Sequence, residues 1–284
     1  AASDVYKRQS ATCVTGLIPF PTTNWSTFGQ IVLLVLIQIG GLGFMTIISL
    51  ILMMFKKNIG IYHRTVLMQS AGSYSISGVT NLIKRIILVT LFCEIVGAII
   101  LSLRFSSDME IGKAIYFGIF HSVSAFCNAG FDILGTPTNP FPSITAYAGN
   151  PIVNVVIMFL IIAGGIGFLT WEDICINKIH FRKYHMQSKI IVVTTALLIV
   201  LPAVFFFFSD FTHLSVGKRL LASAFQAVTP RTAGFNTMDI SKMTEVSKAM
   251  IIILMLVGGS PSSTAGGMTV SYTHLRAHET LRHL

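Results

Sequence analysis

Three stretches of this chain end a small, polar turn on a glycine: Ser10-Ala-Thr-Cys-Val-Thr-Gly-Leu17, Ser124-Ala-Phe-Cys-Asn-Ala-Gly-Phe-Asp132 and Thr229-Pro-Arg-Thr-Ala-Gly-Phe-Asn236. Their glycines, Gly16, Gly130 and Gly234, are 114 and 104 residues apart, and each is followed by Leu or Phe. Glycine lets the main chain turn at positive φ and brings its carbonyl oxygens close to an occupant with no Cβ in the way. The chemistry on offer is therefore that of backbone dipoles. The reactive side chains supply little else: Cys13, Cys93, Cys127 and Cys175 show no metal or disulfide spacing. His121 and Cys127 have no third group to complete a nucleophilic arrangement. Gly40-Gly-Leu-Gly43 lacks the strand and downstream acid of a dinucleotide site.

A second landmark follows each glycine turn: Gln38-Ile-Gly-Gly-Leu-Gly-Phe44, Ala163-Gly-Gly-Ile-Gly-Phe168 and Val257-Gly-Gly-Ser-Pro261. Two ordered landmarks recurring three times indicate an internal repeat. Hydrophobic residues are 53% of the chain and charged ones 11%, where soluble domains carry about a quarter charged. Residues 30–55, 151–171 and 190–208 carry no charge and residues 86–103 carry only Glu94, giving four candidate membrane spans, with residues 246–268 beginning a fifth. Residues 114–129 and 220–228 are apolar but too short to span, and each runs into a glycine turn. They are expected to be re-entrant helices. Irregular backbone at membrane depth is tolerated only where it is buried in protein or lines a watery path, so the loops after them need a polar occupant.

Lys56, Lys57, Arg64, Lys84 and Arg85, with Lys178, Arg182, Lys183 and Lys189, lie in the loops away from the glycine turns. By the bias of short basic loops these are cytoplasmic and the glycine turns face outward. The basic balance then belongs to the membrane topology and not to nucleic acid.

The ordered set CVTGL, SAFCNAGFD, TPRTAGFN and GGSPSSTAGG resembles the Trk/Ktr/HKT superfamily of potassium transporters, most closely the Ktr membrane subunit. The resemblance implies an all-α polytopic membrane protein. Its repeats of outer helix, pore helix, filter loop and inner helix stand around a pseudo-fourfold pore, incomplete here. It implies potassium uptake across the plasma membrane, with sodium as a further transported ion and no covalent cofactor. One filter glycine per repeat matches Gly16, Gly130 and Gly234. The implied ion ligands are the carbonyls of Cys13, Val14, Thr15 and Gly16, of Cys127, Asn128, Ala129 and Gly130, and of Arg231, Thr232, Ala233 and Gly234, because rings of carbonyls replace the water of a monovalent cation. Gly258, Gly259, Ser260, Pro261, Ser262, Ser263, Thr264, Ala265, Gly266 and Gly267 stand where the family carries a flexible intramembrane gate loop. Members usually continue with glycine, an aliphatic residue and lysine, whereas Met268 is followed here by Thr269.

The first two inner helices are expected to run straight through their Gly-Gly-x-Gly-Phe landmarks, and only the third to break. Glu94 is expected to make a structural pairing, Arg231 to hold loop carbonyls, and Asn128, Asp132 and Asn236 to stabilise turns. Trp25 and Trp171 are read as interface anchors.

Residues 1–9 and 271–284 resemble translated adapter sequence and are set aside as non-native, which leaves +7 of the +9 net charge. Repeat 1 then covers residues 10–64 (filter loop and inner helix), repeat 2 residues 65–188 and repeat 3 residues 189–270. The first outer and pore helices and the fourth repeat are expected to be missing. By resemblance the full-length protein is a homodimer in the bilayer, joined to cytosolic nucleotide-binding regulatory subunits. An alternating-access carrier or an intramembrane enzyme remains the alternative. Carrier repeats are often inverted in topology, whereas these run in one orientation; an enzyme would have only Glu94 and His121 at membrane depth.

Overall fold

The computed structural model describes residues 25–43, 79–136, 142–178, 180–212 and 214–266, and every regular element among them is helical. In chain order these are α1 (Thr27–Leu42), α2 (Val79–Phe105), α3 (Ile111–Phe126), α4 (Pro151–Gly165), α5 (Phe168–Asn177), α6 (Met186–Ser209), α7 (Val216–Val228) and α8 (Glu245–Val257).

Helix lengths sort them by role. Leu82–Phe105, within α2, and all of α6 are apolar stretches of 24 residues, about 36 Å at ~1.5 Å per residue, enough to cross a ~30 Å hydrocarbon core. Their outer faces expose Leu88, Phe92 and Leu103 on α2 and Leu201, Val204 and Phe208 on α6, the composition that lipid requires. In contrast, α3 and α7 have 16 and 13 residues, about 24 and 20 Å, too short to cross. Each lies along a long helix, α3 on α2 and α7 on α6. The α2–α3 seam is close because small residues line it. A Cβ on Gly118 would fall 2.8 Å from the Ala98 carbonyl, and one on Gly97 2.6 Å from Ser122 Oγ.

The inner helices depart from the straight rods expected over residues 30–55 and 151–171. Helix α1 stops at Leu42, where Gly43 takes φ 80°. Helix α4 stops at Gly165, and α5 leaves at 99° to it after Gly167 at φ 93°. Helix α8 stops at Val257, where Gly258 takes φ 56°. Every one of the three glycine landmarks thus ends its helix, not only the third. The cause is local: left-handed backbone is open to glycine and closes the i→i−4 ladder of a right-handed helix. Trp171 braces this bend: its indole Nε1 donates to the Ala163 carbonyl at 2.8 Å across the break.

Helix α4 starts cleanly because Pro151 needs no partner for a missing N–H and Asn150 caps the turn, its Oδ1 accepting from Ile152 and Val153 N–H at 3.1 and 3.3 Å. Asn150→Ala is expected to destabilise the detergent-solubilised protein by about 1 kcal/mol. Thermal unfolding would read it, and an unchanged midpoint would show that Pro151 alone sets the helix start.

Candidate functional site: two glycine loops and the loop docked against them

Each short helix delivers its chain into a glycine loop through the same backbone device. After α3, Asn128 takes φ 53° and Gly130 φ 69°; after α7, Thr232 takes φ 66° and Gly234 φ 76°. Positive φ two residues apart, in both repeats, alternates the handedness of the backbone. Such alternation turns over successive peptide planes and lets neighbouring carbonyls share a side. Asparagine visits this region readily, while a β-branched threonine there is a genuine outlier.

Hydroxyls fix the far end of each loop. Ser124 Oγ donates to the Phe131 carbonyl at 2.7 Å and accepts the Phe131 N–H at 3.0 Å. In the other loop Thr229 Oγ1 donates to the Phe235 carbonyl. The aromatic residues after the two glycines, Phe131 and Phe235, are fully buried with Phe105, Phe126 and Phe225 in one apolar cluster. The two loops meet at their glycines. A Cβ on Gly130 would lie 2.6 Å from the Ala233 carbonyl oxygen and 3.0 Å from Gly234 Cα.

The segment after α8 docks against this pair. Ser260 donates twice to the Gly165 carbonyl, from N–H at 3.1 Å and Oγ at 2.8 Å. Thr264 N–H donates to the Gly164 carbonyl at 3.2 Å, and Phe168 N–H donates to the Ser262 carbonyl at 2.8 Å. The break between α4 and α5 frees these groups, and the docked segment satisfies them. Gly164 and Gly167 permit the approach: a Cβ on either would fall 2.6 Å from the Thr264 or Ser260 hydroxyl oxygen, respectively. The segment also holds itself, Gly259 N–H donating to the Gly266 carbonyl at 3.1 Å.

The remaining sequence candidates divide. Glu94 is buried and accepts from Gln38 Nε2 at 3.2 Å, a structural pairing between α2 and α1. Among the described residues Arg231 holds no loop carbonyl: its guanidinium is buried and donates to Thr195 Oγ1 on α6 at 3.3 Å. Asp132 makes the expected turn bonds, its carboxylate accepting from the backbone of Leu134 and Ser143, while burial pushes its pKa up to about 6. Among the described residues Asn236 contributes backbone only, its N–H donating to Ser143 Oγ at 2.9 Å. Asn128 makes no turn bond with its side chain; Nδ2 donates to Thr264 Oγ1 at 2.9 Å. His121 is a packed core histidine, bonded to the Phe117 carbonyl at 2.8 Å and ringed by Phe105, Phe120 and Phe235. Among the described residues no three His, Cys, Asp or Glu side chains gather as a metal site. Residues 13–16 and Gly267 lie outside the described residues. Sequence reasoning missed the Gly164–Gly165 docking site, although the recurrence of its landmark was a signal for it.

Comparison with known proteins places the chain in a family. The chain is 38% identical to the Ktr system potassium uptake protein B of Bacillus subtilis over 94% of its length and 60% of that protein. It is 37% identical to the potassium/sodium uptake protein NtpJ of Enterococcus hirae, over 93% of this chain and 58% of the relative. It therefore spans about three-fifths of the length of the curated relatives it matches. The crystal structure of the potassium transporter TrkH from Vibrio parahaemolyticus superposes on the whole chain and on 55% of its own, with TM-score 0.73 at 16% identity, and so shows the same fold. The TrkH family model, described as a cation transport protein, matches residues 1–275. This is a family of transporters and not of enzymes, which removes the intramembrane-enzyme alternative; the chain, a helical membrane protein, belongs to the TrkH cation transport protein family.

Proposed function

We propose that the chain is part of the pore-forming subunit of a potassium uptake system. In this reading the carbonyls of residues 127–130 and 231–234 are two sides of a cation filter. The observation that carries it is the meeting of Gly130 and Gly234 with the same pair of left-handed positions in each loop. Carbonyl dipoles so arranged replace the hydration of a monovalent cation without fixed charge that would trap it. Arg231 supports this by pointing its charge away, toward α6. Residues 13–16 supply the third side and a fourth repeat the last. Potassium is the favoured ion, and the naming of one relative for both potassium and sodium makes sodium the competitor to test.

Orientation follows the charges. Lys84, Arg85, Arg182, Lys183 and Lys189 are cytoplasmic, with Arg85 paired to Glu172 at 3.3 Å, and the filter loops face outward. The repeats keep the boundaries read from the sequence. The full-length protein is a homodimer that receives its signal from cytosolic nucleotide-binding regulatory subunits.

Residues 258–267 form the gate in this reading. The segment carries the side chains of small hydroxyl residues and is held to the rest of the protein by a short set of hydrogen bonds, which its release would break together. In the full-length protein, deleting residues 260–265 is expected to raise potassium flux into vesicles at equal amounts of inserted protein. A lower flux in correctly folded protein would refute the gate and leave a structural kink or an ion site.

A further inference from the structure

The bonds between the docked segment and the two glycine loops are made by one pair of equivalent positions. Asn128 and Thr232 each stand two residues before their glycine, and each holds positive φ. From one loop, Asn128 Nδ2 donates to Thr264 Oγ1 at 2.9 Å, and that hydroxyl donates onward to the Phe126 carbonyl at 2.8 Å. From the other, Thr232 Oγ1 accepts the Gly266 N–H at 3.1 Å. Asn128 is 1% exposed and Thr264 7%, so the first chain of bonds is shut off from bulk water. Thr232 is a β-branched residue kept in a strained conformation, which persists only where its surroundings over-determine it and is a motive for assigning it a role.

We propose that Asn128 and Thr232 are latch residues that tie the segment 258–266 to both glycine loops, so that its release and the conformation of the loops are one coupled equilibrium. The inference rests on the reading of that segment as a gate. Its physical basis is that the two positions setting the handedness of the loop backbone are the two whose side chains hold the segment. Release removes the partners of the Asn128 amide and the Phe126 carbonyl in a buried place. An unmade bond there costs more than an exposed one, so the loops cannot stay as they are while the segment leaves. Coupling of this kind is reciprocal: whatever favours the latched loop backbone favours closure, and the converse holds. Asn128 and Thr232 are positioning residues, since the segment and not the ion is what their side chains touch.

The test compares resting potassium influx into vesicles for the full-length protein, its 260–265 deletion, Thr264→Val, Asn128→Ala and the double variant, at equal inserted amounts. Thr264→Val keeps the shape and removes both bonds of the hydroxyl from the segment's side, so it serves even if Asn128→Ala folds poorly. Asn128→Ala is expected to raise resting influx roughly five-fold, the worth of about one net hydrogen bond, Thr264→Val, which loses two bonds, by more, and the double variant no further than Thr264→Val alone. Thr264→Ser, which keeps the hydroxyl, should rescue closure. Additive effects in the double variant would overturn the latch. So would unchanged resting influx in both single variants while the deletion raises it, an outcome that leaves the gate standing. A deletion that fails to raise influx overturns the gate and the latch with it.

Discussion

Alanine at position 164 is expected to prevent the inner half of this protein from assembling. A Cβ there would overlap the carbonyl oxygen of Phe126 and come within 2.6 Å of Thr264 Oγ1. The first of these is main chain at the end of α3, and the second is fixed by bonds to Phe126 and Asn128. Neither can swing aside as the tip of a flexible side chain would. Relief requires α4 to move off α3, which also breaks the bond from Thr264 N–H to the Gly164 carbonyl. Overpacking alone costs about 1 to 3 kcal/mol, and each lost buried bond adds about 1 to 3 kcal/mol, so several kcal/mol are at stake. Little monodisperse protein should survive size-exclusion chromatography in detergent. Its neighbour is the control: a Cβ on Gly165 meets only Ala265 Cβ and Asn128 Nδ2, both at 3.8 Å, and Gly165→Ala should be tolerated. Equal yields of the two variants would mean that the close approach at Gly164 does not hold the protein together.

Serine at Gly130 or Gly234, the two glycines proposed for the filter, is the second large effect. Gly130→Ser and Gly234→Ser both place a side chain on backbone at φ 69° and 76°, a conformation costing a residue with a Cβ about 1 to 2 kcal/mol. The two sites differ in space. At Gly130 the new Cβ would meet the Ala233 carbonyl oxygen at 2.6 Å, whereas at Gly234 it would meet only Gly130 Cα at 3.4 Å. In the full-length protein Gly130→Ser should therefore lose most potassium uptake, while Gly234→Ser should keep transport with weaker affinity or weaker preference over sodium, by roughly tenfold for each 1.4 kcal/mol. Competition of the two ions during uptake measures this. If both variants retain the parent's affinity and preference, these glycines are not filter elements.

The sequence made some of this legible because the signals were local. The brevity of residues 114–129 and 220–228, each running into a glycine turn, was sufficient to expect α3 and α7, and Glu94 within an apolar run announced a pairing. The α4–α5 break was hidden for a physical reason. Residues 151–171 are uncharged throughout, so hydropathy reads one rod, while the bend is set by one left-handed glycine and by bonds to a segment about a hundred residues later. Arg231 was misjudged because its acceptor, Thr195, lies 36 residues upstream on another helix. The Asn128–Thr264 bond joins residues 136 apart. No periodicity or spacing points to such a partner.

The hooks behind the two aromatic residues bear on how the repeats have aged. Ser124 reaches the Phe131 carbonyl from seven residues upstream, and Thr229 reaches the Phe235 carbonyl from six. If the two loops are aligned on their glycines, the hydroxyl-bearing residues fall out of register, and Ser124 sits opposite Val228. Ancestral duplication followed by compensated drift would leave this trace, the supporting atom being kept in space while its address in the chain slips. Identity between repeats then understates how alike they are in three dimensions. A short cassette cut at aligned positions and moved from one repeat to another would carry the glycine and lose its hook.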